Sequence, residues 1–344
     1  MLKIYCDHYC EIAELLPNAE LYYEFDRLPQ TAGAVYIVGR TQLNNNITQI
    51  RKMAESGQYI IVFSNPAEGS ETLDGHLTRY GIRDLVENGR LKCIAGGSMP
   101  EDLNCLIYDH FLAQPERYSE NAQAQAEFAQ YWTTPIKPYR FLFLNGRARP
   151  HRTALIQQLS DLLPQALWSC LDGNHTHILP AEYEFPSFAG RAVDAQGWVK
   201  PKLFNDLWGE IYLHSPAYRD TYFSLVTETV FYQPWSFRTE KIAKPLYIGH
   251  PWICVANAGF YRDLRNRGFR TFNPIIDESF DTIDDPNDRL ARIVAVTRDT
   301  CGQDMLQFIR AVESVCKYNQ QHLLELTAQD RAQFPARFSQ YINE

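Results

Sequence analysis

The amino-acid sequence predicts an α/β protein of two domains, each built on a parallel sheet. Three observations carry this. The apolar runs are short and rich in β-branched and aromatic residues, as in Ala34-Val35-Tyr36-Ile37-Val38 and Tyr59-Ile60-Ile61-Val62-Phe63. Strands buried on both faces read this way. Such runs alternate with polar, helix-compatible stretches, the pattern of βαβ units. Finally, 344 residues exceed the usual size of one core, so two domains of about 150 residues are expected. Rossmann-like domains satisfy all three.

Composition narrows the class. Apolar residues make up 45% of the chain, ample for globular cores. No apolar run approaches the ~18 residues of a membrane helix, so no membrane span is expected. The start, MLKIYCDHYCEIAELL, carries acidic residues and no cleavable signal pattern, which argues against export. Eight cysteines are scattered without CxxC spacing, several in apolar runs (Cys93, Cys254). They read as reduced, buried thiols of a cytoplasmic protein. The Asn-x-Thr matches at Asn46 and Asn174 are then chance. A net charge of −8 has the wrong sign for a protein whose main partner is nucleic acid.

The first domain is expected over residues 1–135. Lys3 to Tyr5, Ala34 to Val38, Tyr59 to Phe63, Leu91 to Ile94 and Leu106 to Tyr108 are its strands. The loop Ser64 to Glu71 places Glu68 and Glu71 at the carboxyl end of a strand, where catalytic groups of such sheets collect. The same residues also read as an Asn-Pro turn with solvated glutamates. Gly96-Gly97 lacks the dinucleotide fingerprint, and no cofactor is expected. Residues 112–138 read as a helix followed by a proline-stiffened linker.

The second domain is expected over residues 139–318, opening with the strand Arg140 to Leu144. That strand runs into Asn145-Gly146-Arg147-Ala148-Arg149-Pro150-His151-Arg152. Pro150 suits the first position of a helix, and Leu155, Leu159 and Leu162 give the helix its buried stripe. Arg147, Arg149 and Arg152 therefore surround a strand-to-helix turn with unpaired N–H groups, an anion site by construction. A solvated basic turn is the plainer reading. Residues 173–221 are aromatic and irregular; His175-x-His177 lacks a third metal ligand, and Trp198 and Trp208 suit the wall of a cleft.

Tyr222 to Val226 is the next strand, giving way to Thr227-Glu228-Thr229. Thr239-Glu240-Lys241 reads as a helix start, with Pro245 set to kink or shorten that helix. Trp252 to Ala256 is a further strand, completing a βαβ unit. Lysine near a helix N-terminus is disfavoured unless an anion sits there, which marks Lys241 as a phosphate contact. Phe269 to Phe272 reads as a short strand-like run and Asp277-Glu278-Ser279-Phe280-Asp281 as either ligand-facing carboxylates or a plain turn. In the functional version Glu278 holds a hydroxyl. Asp281, Asp284, Asp285 and Asp288 lack the glycine and spacing of a calcium loop, and Asp285 before Pro286 reads as a helix cap. Gln303 to Glu344 forms one or two amphipathic helices.

The sequence also resembles a known family. Thr227-Glu228-Thr229, Thr239-Glu240-Lys241 and a Gly249-x-Pro251 leading into a strand resemble the donor half of fucosyltransferase-like, exostosin-related glycosyltransferases of the GT-B type. The block Gly268 to Phe272 through Ile276 to Asp281 resembles a tail of their bacterial, phage and giant-virus relatives. The resemblance covers residues 139–300 or so. In α-1,3-fucosyltransferases the pattern is Glu-Asn-Ser, then Tyr-Val-Thr-Glu-Lys; Thr227-Glu228 stand in place of Glu-Asn and Phe237 in place of Tyr.

The resemblance implies a GT-B-like architecture, two Rossmann-like domains facing a central cleft, with residues 319–344 crossing back to the first. It implies inverting transfer of a sugar from a GDP- or UDP-linked donor to a hydroxyl, on a glycan or other acceptor. Arg147, Arg149, Arg152, Thr227, Glu228, Thr239, Glu240, Lys241 and Glu278 would hold the donor, and an arginine at Arg152 or Arg147 would reach its phosphates. Glu68 or Glu71 would be the general base, with His151 and Glu228 behind them. No two aspartates stand two apart anywhere in the chain, so no metal is expected. A non-catalytic nucleotide-sugar-binding module and a phage-type transferase acting on modified DNA bases are the alternatives.

Overall fold

The computed structural model describes residues 2–100, 103–117, 119–146, 148–170, 177–183 and 213–344. The protein is α/β, with two compact units: Met1–His110 with Thr327–Glu344, and Phe111–Leu326.

The first unit carries β1 (Ile4–Asp7), β2 (Glu20–Tyr22), β3 (Val35–Val38), α1 (Arg40–Ser56), β4 (Ile60–Asn65), α2 (Ser70–Arg79), α3 (Arg83–Glu87), β5 (Leu91–Ala95) and β6 (Cys105–Ile107). Its sheet has the order β2-β1-β3-β4-β5-β6, every pair parallel. Successive side chains of a strand point to opposite faces, and the core divides accordingly. Tyr36, Val38, Ile61 and Phe63 join one cluster with Leu43 and Ile50 of α1 and Leu73 and Leu77 of α2. Val35, Ile37 and Val62 join another with Phe334, Phe338 and Tyr341 near the C-terminus. Both faces are therefore covered, which explains the unbroken apolar runs. The five expected strands are present. β2 escaped the sequence because it is three residues long and opens on Glu20, leaving an apolar run cut short between Glu20 and Glu24.

The second unit carries α4 (Ser119–Phe128), β7 (Tyr139–Asn145), α5 (Pro150–Gln158), β8 (Ala166–Cys170), α6 (Ser215–Arg219), β9 (Thr221–Thr227), α7 (Glu240–Ile248), β10 (Trp252–Val255), α8 (Phe260–Asn266), α9 (Pro286–Cys301) and α10 (Met305–Asn343). Its four strands run parallel in the order β10-β9-β7-β8. All seven residues of β9 are buried. Asp285 caps α9, its Oδ1 accepting from the N–H groups of Asn287 and Asp288 at 2.8 and 2.9 Å. Gly249 closes α7 in the left-handed conformation, φ 79°.

Three expectations change. The first core ends before residue 135, because Leu112, Ala124, Phe128 and Tyr131 pack into the second. The proline-rich stretch behind them is no free linker: Tyr131 donates to the Tyr222 carbonyl at 2.7 Å, and Lys137 N donates to the Tyr222 hydroxyl at 3.1 Å. Phe269 to Phe272 is not a strand; Phe269 and Phe272 are buried anchors of an irregular turn. The C-terminal stretch keeps to expectation as one helix, α10, giving Phe308 and Val312 to the second core and Phe334 and Phe338 to the first unit.

Candidate functional site

The second sheet reverses direction at the β7–β9 seam. The chain runs from β7 out to β8, then returns past β7 to β9 and on to β10. Ligands of parallel sheets bind in the crevice that such a reversal leaves at the carboxyl ends of its strands. Asn145 ends β7 and Thr227 ends β9, both buried. The Thr227 hydroxyl donates to Asn145 Oδ1 at 2.8 Å, whereas the buried Asn145 Nδ2 has no partner among the described residues.

Two helices begin at this seam. Arg149 is the N-cap residue of α5 and makes no side-chain cap; Pro150 follows at the first helical position. Thr239 caps α7, its Oγ1 accepting from Lys241 N at 3.2 Å. Side chains on α5 tie the two starts to β9. Arg152, buried, donates through Nη2 to the Thr227 carbonyl at 3.0 Å. His151 donates through Nε2 to the Glu228 carbonyl at 3.1 Å, its ring stacked on Phe231 at 4.9 Å. With the proton on Nε2, Nδ1 is a bare acceptor, and it is buried without a partner.

Glu228 is fully buried and links β9 to α7. Its Oε1 accepts from Thr239 N at 3.0 Å, and its Oε2 from the Thr239 hydroxyl at 2.6 Å and from Thr229 N at 3.2 Å. Burial pushes this carboxyl above its ordinary range, although Lys241 and Thr239 favour the anion. Burial acts on Glu240 too, but there the charges of Lys241 and Lys244 win and hold the carboxyl below its usual range. Lys241 forms an ion pair with Glu240. Burial and the neighbouring Arg149 push the Arg152 guanidinium down to about 10, against Glu228 and Glu240, so it stays cationic at neutral pH.

The structure thus brings together Arg149, Arg152, Thr227, Glu228, Thr239, Glu240 and Lys241, while Arg147 lies outside the described residues. Among the described residues, Arg149, Arg152 and Lys241 lie with Glu228 and Glu240 about two helix N-termini. The arrangement suits an anion with a polar neighbour, held by N–H groups, a guanidinium and an ammonium. Glu228 has most of its acceptor capacity filled from its own loop, which fits a positioning role better than proton transfer.

Glu278 stands apart from this group. Its Oε1 accepts from Phe272 N and Asn273 N at 2.6 and 3.0 Å, and its Oε2 from the Thr271 hydroxyl and Arg265 Nη1 at 2.8 and 2.9 Å. Three donors from residues 271–273 and one from Arg265 of α8 occupy the carboxylate. Asp281 accepts from Tyr261 N and Arg262 N at 2.8 and 2.9 Å at the start of α8.

Of the expected bases in the first unit, Glu68 lines a recess of about 200 Å³ with Asp7, Tyr9, Gly39, Arg40 and Ser64. The side chain of Glu71 lies outside the described residues; its backbone belongs to α2. His175, Trp198 and Trp208 also lie outside them, and His177 stacks on Trp168 at 3.9 Å. Among the described residues no three His, Cys, Asp or Glu side chains are grouped to hold a metal. Nor is any helix long and apolar enough to cross a membrane.

The sequence reading passed over Asn145, Lys244, Asp7 and Ser64. Asn145 and Asp7 each end a strand, which was their only visible signal. Comparison of the chain with family models, curated proteins and solved structures finds no match.

Proposed function

We propose that the protein is a glycosyltransferase of GT-B-like architecture, the second unit binding a nucleotide-diphosphate sugar, GDP- or UDP-linked, and the first its hydroxyl acceptor. One observation carries this reading: two helix N-termini with Arg149, Arg152 and Lys241 meet at the topological reversal of a parallel sheet, beside an unpartnered Asn145 Nδ2. A diphosphate brings about two negative charges to such a place, and departing it needs the same charges neutralised. Arginine can grip phosphate oxygens as a fork, and Lys241 supplies a point charge. Three protein cations can neutralise the departing diphosphate without a metal, and the resemblance to fucosyltransferase-like enzymes implies inversion.

Thermal shift of the intact chain with GDP, UDP, CDP and dTDP and their sugars tests the reading, since a ligand of the folded state raises its melting point. Stabilisation by one diphosphate well above the corresponding nucleoside is expected. Stabilisation with no turnover on any hydroxyl acceptor would make the chain a nucleotide-sugar-binding module. No response to any of them removes the donor site altogether.

A further inference from the structure

The recess of the first unit lies at that sheet's own reversal. The chain passes from β1 to β2 on one side and returns to β3 on the other, and the carboxyl ends of β1, β3 and β4 supply Asp7, Gly39 and Ser64 to its lining. It differs in kind from the cationic seam of the second unit. The start of α1 here is already occupied by a carboxylate: Asp7 Oδ2 accepts from Gly39 N at 3.2 Å, and Oδ1 from Tyr9 N at 3.1 Å. A side chain at Gly39 would bring its Cβ within 2.7 Å of Asp7 Oδ2, so only glycine permits that approach.

Asp7 is fully buried, and among the described residues no cation pairs with it. A carboxylate has about four acceptor sites, and two backbone donors leave capacity unused. In the same lining Ser64 is 2% exposed, and its hydroxyl has no partner among the described residues. A buried polar atom without a partner is costly, and the hydroxyls of one ligand answer both vacancies, one donating to Asp7 and another accepting from Ser64.

Charge excludes other ligands. Among the described residues that line the recess, Asp7, Glu11 and Glu68 are acidic and Arg40 is basic, 3.8 Å from Glu68 with both side chains partly exposed. A phosphate or carboxylate is repelled. At the rim Tyr9 belongs to an aromatic group, with His8 and Tyr23 at 4.4 Å and Tyr9 and Tyr23 at 5.9 Å between ring centres. Tyr9 and Tyr23 are 38% and 57% exposed, flat apolar surface beside hydroxyl-seeking groups. Pockets for drug-sized ligands run to about 300–1,000 Å³; at about 200 Å³ this one suits a single ring.

We infer that the recess is a saccharide site, taking one neutral sugar ring whose hydroxyls meet Asp7 and Ser64 and whose face lies against Tyr9. Calling that sugar the acceptor rests on the transferase reading; its binding does not.

Saturation-transfer NMR on the intact chain, with methyl glycosides of glucose, galactose, mannose and N-acetylglucosamine and with glucuronate, is the test. At least one neutral glycoside should receive saturation and glucuronate none. Ser64→Ala removes an unpartnered hydroxyl, so it should leave the melting point unchanged or raise it while weakening the glycoside about fivefold, the worth of one hydrogen bond. Tyr9→Ala should weaken it at least as much. The nucleotide-induced thermal shift, measured on the same variants, reports the second unit separately and should not move. Absence of any neutral glycoside signal, equal binding of glucuronate, or full affinity in both variants overturns the inference, whatever the nucleotide result.

Discussion

The hydroxyl of Thr227 and the side-chain amide of Asn145 are joined by a 2.8 Å hydrogen bond across the seam between β9 and β7. The bond fixes which way the Asn145 amide faces, because its oxygen is taken and its Nδ2 is left over. Thr227→Val should therefore act through Asn145. We expect a loss of about 1–3 kcal/mol in stability from the orphaned amide oxygen, and nucleoside-diphosphate binding weakened about tenfold. In an Asn145→Ala background, Thr227→Val should change that affinity less than threefold or so, the mark of coupled residues. Independent, additive losses would mean that Thr227 meets the ligand by itself.

Glu278 makes the opposite case. Its four hydrogen bonds all go to residues 265–273, so Glu278→Ala should lower stability by about 2–4 kcal/mol, leaving buried donors unpaired. Nucleotide affinity, measured below the new melting point, should stay within about twofold of the parent. A large affinity loss with unchanged stability would return Glu278 to the ligand.

How far the site was legible follows from where its residues stand. Arg149, Arg152, Thr239 and Lys241 announce themselves, because a charge or cap beside a strand-to-helix turn has a local reason visible in sequence. Glu278 and Asp281 look equally functional in sequence. Only the fold shows that their carboxylates satisfy backbone N–H groups of their own loop and of α8. Asp7 signalled no more than a strand end and Ser64 nothing, since a recess made from three strands far apart in the chain is a property of the sheet order. The strands themselves were readable wherever both faces are buried, as in β3 and β9, and failed at β2, where Glu20 and Glu24 cut the apolar run short.

The buried histidines set an acid limit. Burial, with neighbouring arginines, holds His151 down to about 4, and burial holds His250 down to about 3. Both rings are neutral when folded and titrate near pH 6.5 when unfolded. Below about 6.5 the unfolded chain binds protons that the folded chain refuses, so stability falls as pH drops from about 6.5 towards 4 and is unaffected by these groups above it. His151 alone contributes up to about 3 kcal/mol of that loss. Urea denaturation at pH 7, 6 and 5 should show His151→Phe, which retains the stack on Phe231, with a slope shallower by about 1.4 kcal/mol per pH unit below 6. The comparison isolates His151 from carboxyls such as Glu228 and Asp7, whose raised values act in the other direction. Parallel slopes would remove His151 from the account.

Leaving-group neutralisation by protein cations alone is the most exposed part of the proposal, and Lys241 is its cleanest probe. Arg152→Ala should also abolish transfer, but it strips a buried cation from beside Glu228 and Glu240, and an uncompensated buried charge costs about 3–5 kcal/mol. Loss of activity there is confounded with loss of fold. Lys241 is different: its side chain is 25% exposed, and Glu240 retains the nearby charge of Lys244 when Lys241 is removed. Lys241→Ala should therefore fold with a melting point close to the parent's. Losing one charge-assisted contact from the transition state should cost roughly 2–4 kcal/mol, or about 30- to 1000-fold in rate. If the cations do this work, kcat falls with Lys241→Ala more than donor affinity does, and transfer by the parent protein survives excess EDTA in full. Activity that disappears with the chelator and returns with manganese or magnesium would show that a metal, and not Lys241 and Arg152, carries the charge of the departing diphosphate.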